Sequence, residues 1–346
     1  MSLHEGLIFA SFLLLIVILL AIDIGILNKK DTEVTFKHAL FYTAIWVSFA
    51  LGFWAIIHFF GNEIHDPKNL EELQALVTKY GHPITLTGDF EESLQIYRNN
   101  LGLEFITGYI IEYSLSVDNI FVFLMIFISF GVKKIYYHRI LFWGILGAIV
   151  FRFLFIFISA ALIQQFEWVL YFFGALLVFT GIKMYIERNH HGQIDTNHHP
   201  VIRFVSRFFN VDREYRGHNF FIKKNGKLFV TSLFIVLMVI EFSDVIFAVD
   251  SVPAIFAVTK DPFMVYFSNI FAIIGLRSLF FLIMNVIDKF RYLKIGLSVL
   301  LIFIGLKMLI HPFFNITTAQ SLLVILLILV VSVVASLVAP HKEPAK

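Results

Sequence analysis

Nine stretches of this 346-residue chain are long and apolar enough to cross a lipid bilayer, and that limits the fold before any other feature is weighed. About 20 apolar residues in helical form span a hydrocarbon core of about 30 Å. The stretches cover residues 7–27, 39–60, 101–132, 140–163, 168–186, 228–258, 263–287, 293–310 and 321–338. Backbone groups in lipid must be satisfied within the protein, so runs of this length read as helices. The first run exceeds the apolar core of a signal peptide, about 7–15 residues, and lacks a basic start, so it is expected to be a retained span. The expected fold is an all-α polytopic membrane protein of about nine transmembrane helices. Hydrophobic residues make up 59% of the chain and charged ones 15%, against about 25% charged in soluble domains. Cysteine is absent, which excludes disulfides and thiolate chemistry within these residues. A net charge of +2 gives no reason to expect a nucleic-acid partner; the expected surroundings are the lipid bilayer.

Lys and Arg give the orientation, because cytoplasmic loops are enriched in them. With the N-terminus outside, 19 of the 27 fall in inside segments and 4 in outside segments; Arg152, Lys183, Arg277 and Lys307 lie within spans. The chain then divides into two peripheral spans (1–60), an acidic extracytoplasmic segment (61–98), three spans (99–187), a basic cytoplasmic loop (188–227), three more spans (228–310), and a last span with a cytoplasmic tail (311–346). A short amphipathic helix is expected near residues 70–79. The loop contains His190, His191, His198 and His199; their spacing matches no fixed tetrahedral metal motif, and a solvated polar loop is the expectation.

The two three-span units repeat one another. Glu112 and Asp118 stand six residues apart, as do Asp244 and Asp250. Arg152 matches Arg277, and "GIKM" at 181–184 matches "GLKM" at 305–308. Because each unit has an odd number of spans, the second enters the membrane from the opposite side. Inverted repeats of this kind characterise secondary transporters, whose sites lie near mid-membrane at the repeat interface.

Five acids fall in the two equivalent spans: Glu112, Asp118, Glu241, Asp244 and Asp250. Each costs about 2.5–3.5 kcal/mol at a helix centre on insertion scales, so they should face a cavity or a partner. Two arginines, Arg152 and Arg277, are the expected counter-ions or gates, and they offset two of the five charges. The remainder favours a cation site. At 100° per residue, Glu112, Ser116 and Asn119 share one face, and Glu241, Asp244 and Ser251 share the equivalent face of the matching span; Asp118 and Asp250 point about 120° away. Pro253 cannot donate to the carbonyl of Val249, so a helix break is expected there. Carboxylates with Asn119 and Ser251 form an all-oxygen set suited to Mg, Ca or Mn; Met125 and Met238 read as packing.

The segments "EYSLSVDNIFVFLMIFISFGV" and "EFSDVIFAVDSVPAIFAVTKDPFMVYFSNIFAIIGLRSLFFLI" resemble the paired signatures of the TerC/Alx family of integral membrane proteins. The resemblance extends over nearly the whole chain, including "AIDIGILNKK", "GIKM" and "GLKM". It implies a bacterial inner-membrane protein of the LysE-like transporter superfamily, with links to manganese export and tellurium resistance. It maps the family's intramembrane acids onto Glu112, Asp118, Glu241, Asp244 and Asp250. The expected function is proton-coupled export of divalent cations, with Mn2+ first, no resident cofactor and no enzymatic activity. The alternatives are a calcium or other cation transporter, or a membrane scaffold for tellurite-resistance proteins. An intramembrane aspartyl protease is disfavoured, because "LSVD" and "FAVD" lack a Gly-x-Gly-Asp motif.

Overall fold

The apolar runs form helices, and the polar segments between them are largely structured. In the computed structural model the described residues are 3–27, 35–166, 168–187, 200–212, 217–224, 226–284, 292–311, 313–314 and 316–338. The His190–His199 cluster and residues 339–346 lie outside them. The chain runs α1 (Leu3–Leu27), α2 (Phe36–Phe60), α3 (Leu70–Tyr80), α4 (Phe90–Ser129), α5 (Tyr137–Gln165), α6 (Trp168–Glu187) and α7 (Pro200–Phe208). It continues through β1 (Asn210–Asp212), β2 (Phe221–Lys224) and β3 (Lys227–Thr231) to α8 (Ser232–Phe256), α9 (Pro262–Ile274), α10 (Leu276–Met284), α11 (Leu293–Ile310) and α12 (Thr318–Val338). Among the described residues eight helices are long and apolar enough to cross a membrane, and α9 with α10 forms a ninth span bent by 44°.

Two expectations need correction. Pro253 does not break its helix: α8 continues through it to Phe256, without the bond that an N–H at that position would give to the carbonyl of Val249. The break falls instead at Gly275, between α9 and α10. The segment before α8 is not a plain loop, because residues 227–231 join a three-stranded sheet of order β1-β3-β2 and α8 begins only at Ser232. β2 pairs antiparallel to β3 with Ile222 opposite Phe229.

The amphipathic helix expected near residue 70 is α3. The Asn69 side chain accepts the Glu72 amide at its start, and Gly81 ends it in the left-handed conformation (φ 61°). At 40 residues α4 is about 60 Å long, twice the hydrocarbon thickness. Its polar first turns stand clear of the apolar zone, while the rest runs through the centre of the bundle.

Each helix of the first three-span unit packs chiefly on the second unit: α4 against α8 and α9, α5 against α8, and α6 against α11. The last pair is in backbone contact. A methyl group on Gly305 would stand 2.6 Å from the carbonyl oxygen of Gly174, and one on Gly181 would stand 2.8 Å from that of Ser298. If Lys183 is matched to Lys307, Gly181 corresponds to Gly305 and Gly174 to Ser298, so the contact is reciprocal. α1, α2 and α12 lie at the periphery and turn Leu7, Phe59 and Leu327 outward.

A polar clamp closes the face formed by the start of α1, the 61–98 segment and the α8–α9 turn. The buried His65 ring joins Glu5 (Nδ1 to Oε1, 2.8 Å) and Asp261 (Nε2 to Oδ2, 3.0 Å). His82 joins Glu104 at 2.7 Å, and Asn100 donates to the same Glu104 oxygen. Burial pushes both imidazoles down, but Asp261 and Glu5 at His65, and Glu104 at His82, outweigh it and hold them above the ordinary range. Burial pushes Asp261 up, and His65 and His82 more than reverse it.

Two outcomes are expected. Gly305→Ala should force α6 and α11 apart and lower stability by about 1–3 kcal/mol, whereas Gly52→Ala, with open space around it, should leave the melting temperature unchanged or higher; equal melting of the two variants would contradict the seam. Separately, a raised histidine stabilises fully below its ordinary range of about 6.5 and loses that contribution as pH rises through the folded value. A lowered carboxylate behaves in the opposite sense, losing its contribution as pH falls through its folded value. The detergent-purified protein should therefore melt lower at about pH 8.5 than at about pH 6, and His65→Gln should flatten that slope; an unchanged slope would show that the clamp carries no proton-linked stability.

Candidate ion site

Four helices meet around one guanidinium. Arg152, on α5, is fully buried. Its Nη1 pairs with Glu112 of α4. Its Nε and Nη2 donate to the two carboxylate oxygens of Asp244 on α8, at 3.3 and 3.2 Å, and Nη1 also donates to Ser251 Oγ at 3.3 Å. Asn269, on α9, donates to the other oxygen of Glu112 at 3.1 Å. Glu112 and Asp244 are the matched acids of the two units, so one arginine is shared between equivalent positions. The cavity beside Asp244 measures about 10 Å3, about one water-sized sphere. The centre is closed in this conformation.

The remaining acids lie off that centre. Asp250 accepts a hydrogen bond from Thr180 of α6 at 3.0 Å; Lys183 and Asp118 are among the charges that act on it. Lys294 acts on Asp118 from the start of α11. Both aspartates are only partly buried. This is the 120° divergence along the helix: Glu112 and Asp244 turn to α5, Asp250 turns to α6. Glu241, one turn before Asp244, lies against Gly147 of α5, where no side chain larger than hydrogen fits beside its carboxylate. Its Oε2 is buried without a hydrogen bond among the described residues, as are Asn119 Nδ2 and Ser116 Oγ.

The two arginines therefore have different surroundings. Arg152 carries two carboxylates, while Arg277, buried on α10 beyond the bend, lies in the field that acts on His138. Among the described residues no three His, Asp or Glu side chains converge as a preformed metal cage. The donors at the centre are oxygens suited to a hard cation, and in this conformation the guanidinium stands where a cation between Glu112 and Asp244 would stand. Met238 is packed in the core around α8 and α10. Thr180 and Asn269 were not singled out from the sequence. Asn269 was findable as a lone amide in an apolar helix, whereas Thr180 has no comparable signal.

The comparisons with known proteins agree with this architecture. The chain is 40% identical over 336 residues to an uncharacterised membrane protein of Myxococcus xanthus, covering 97% of this chain and 93% of that one. It is 39% identical over 346 residues to a Salmonella typhi protein bearing the provisional name membrane-bound redox modulator Alx, covering 98% and 97%. The Escherichia coli K12 protein of that name is 40% identical over 332 residues, covering 94% of this chain and 92% of the relative. No solved structure matches. Residues 97–343, which hold both three-span units and the five acids Glu112, Asp118, Glu241, Asp244 and Asp250, match the family described as integral membrane protein TerC, and the chain belongs to that family.

Proposed function

We propose that the chain is a secondary transporter that exports divalent cations, with Mn2+ as the first candidate, and that it exchanges them for protons across the bacterial inner membrane. The observation that carries the reading is the shared arginine. A cation held between Glu112 and Asp244 is already the stable arrangement at the centre of the bundle, with Ser251 and Asn269 completing its polar surroundings. In this mechanism Arg152 is a tethered substitute for the transported ion. A divalent cation enters by way of Asp118 and Asp250, the more accessible acids, and displaces the guanidinium from Glu112 and Asp244. When the ion leaves, Arg152 returns, so the acids are never left unpaired in a low-dielectric interior, where an orphaned charge is costly. Glu241 is the acid best suited to accept a proton, since its Oε2 has no partner among the described residues and Gly147 gives it room.

The reciprocal α6–α11 contact supports an inverted repeat. The exchange of partners between units (α4 with α9, α5 with α8) argues against rocking one sequence repeat as a rigid block, because neither unit packs mainly on itself. Smaller shifts of α9 and α10 about the Gly275 bend would open the centre without tearing that interlock. A redox role, as in the name of the Alx relatives, would act here without thiol exchange, since these 346 residues hold no cysteine. The oxygen donor set also suits calcium, and a scaffold role beside tellurite-resistance proteins is compatible with transport.

Two measurements decide between these. In proteoliposomes with an imposed pH gradient, the wild type should accumulate Mn2+, and Asp118→Asn and Asp250→Asn should abolish accumulation while leaving the protein in the membrane; normal uptake by both variants would remove them from the pathway. Arg152→Gln leaves two buried acids without their counter-charge, a loss of about 3–5 kcal/mol, and should deplete the folded protein. Combining it with Asp244→Asn removes one of the two stranded charges and should recover part of the lost melting temperature but not transport; full transport by the double variant would refute the substitute-ion role.

A further inference from the structure

A second polar pocket lies away from the acids, on the face closed by the His65 clamp. It is a cavity of about 190 Å3 bounded by α6, the end of α8, α11 and the start of α12. Its walls carry Lys260, Lys307 and His311. Lys307 is the notable group: it is 7% exposed, and it makes no hydrogen bond or ion pair with any described residue. A lysine withdrawn from water to that degree normally has a paired anion. Glu104 acts on it through space, but one Glu104 oxygen is taken by His82 and Asn100, and the imidazole beside it offsets its charge. Lys260 and Lys307 both act on His311, so three groups able to carry positive charge converge on one space.

Thr318 is the independent observation. It opens α12 and lines the same cavity. Its Oγ1 is buried without a partner among the described residues, on a residue 2% exposed. Thr317 and Gln320 cap the start of this 21-residue helix, the Gln320 N–H on the Thr317 hydroxyl and the Thr317 N–H on the Gln320 side chain; the amides of Thr318 and Ala319 have no acceptor within the helix, and they carry the positive end of the dipole. Hydroxyl, amides and ammonium groups at a helix start form the donor set that binds oxyanions. Leu170, Phe256 and Met308 give the rest of the pocket an apolar wall.

We propose that this pocket binds a phosphate-class anion, with Lys307 as its central partner and the start of α12 as its cradle. Two sources carry that chemistry: dissolved phosphate, and the phosphodiester of an anionic lipid whose tail would lie along the apolar wall. A cation-transport site elsewhere in the molecule neither requires nor excludes this, so the proposal stands apart from the function proposed above.

The test uses the full chain purified in detergent and stripped of lipid. Titration calorimetry with sodium phosphate and native mass spectrometry with phosphatidylglycerol separate the two sources. Saturable binding of either is expected, and Lys307→Gln should weaken it at least about tenfold, the scale of one lost hydrogen bond to a charged group. Thr318→Val, which removes only the hydroxyl, should weaken it by less but measurably. Lys68→Gln, at an exposed side chain on the same face, should change nothing. Failure of the wild type to bind either compound would overturn the proposal. Binding that survives Thr318→Val unchanged would do the same, and that variant keeps the test decisive if Lys307→Gln does not fold.

Discussion

The arginine shared between Glu112 and Asp244 sets the terms for everything around it. A guanidinium with no exposure to solvent is tolerable only where its donors are filled, and here they are filled from α4 and α8. Asn269 ties in α9 by way of Glu112. A shift of any of these helices by one residue would strand a charge in the interior. The apolar surfaces of the same helices carry no such constraint, since in lipid a leucine is nearly as content outward as inward. Polar satisfaction therefore fixes the register of the bundle, and close packing such as that of Gly174 on Gly305 follows within it.

Much of this was legible in the sequence, because the bilayer makes rules that short segments must obey. Span number, the amphipathic α3 and the positions of the five acids followed from hydropathy and helical periodicity alone. The division of those acids between two neighbourhoods followed from the six-residue spacing. What the sequence hid was partnership. Nothing in one chain tells which arginine will gather Glu112 and Asp244, because that depends on which helices cross near Arg152. The bend lies elsewhere for a similar reason: Pro253 is the stronger breaker by composition, but α8 continues through it to Phe256, and the chain bends at Gly275, where two short helices meet.

The polar face was the least legible part. His65 and His82 lie in a segment that reads as an acidic loop, and their partners Glu5, Asp261 and Glu104 come from three other regions of the chain. Each pairing spans a separation that no local pattern reports. The same holds for Lys307. Its match with Lys183 in the two short motifs is plain, yet the two lysines have different neighbours: Lys183 acts on an aspartate, and Lys307 lines a pocket with Lys260 and His311.

The interlocked packing of the two units bears on how such a chain is made. α4, α5 and α6 leave the ribosome before α8 to α11, and for that interval Glu112 has Arg152 available but neither Asp244 nor Asn269 to complete the arrangement. Their glycine-lined seam likewise faces lipid until α11 is synthesised. The first half is thus a set of inserted but uncommitted helices, and the second half must thread between them rather than dock onto a finished surface. Biogenesis of this protein is a problem of late assembly within the membrane, in which the last helices to be inserted decide whether the first ones have folded.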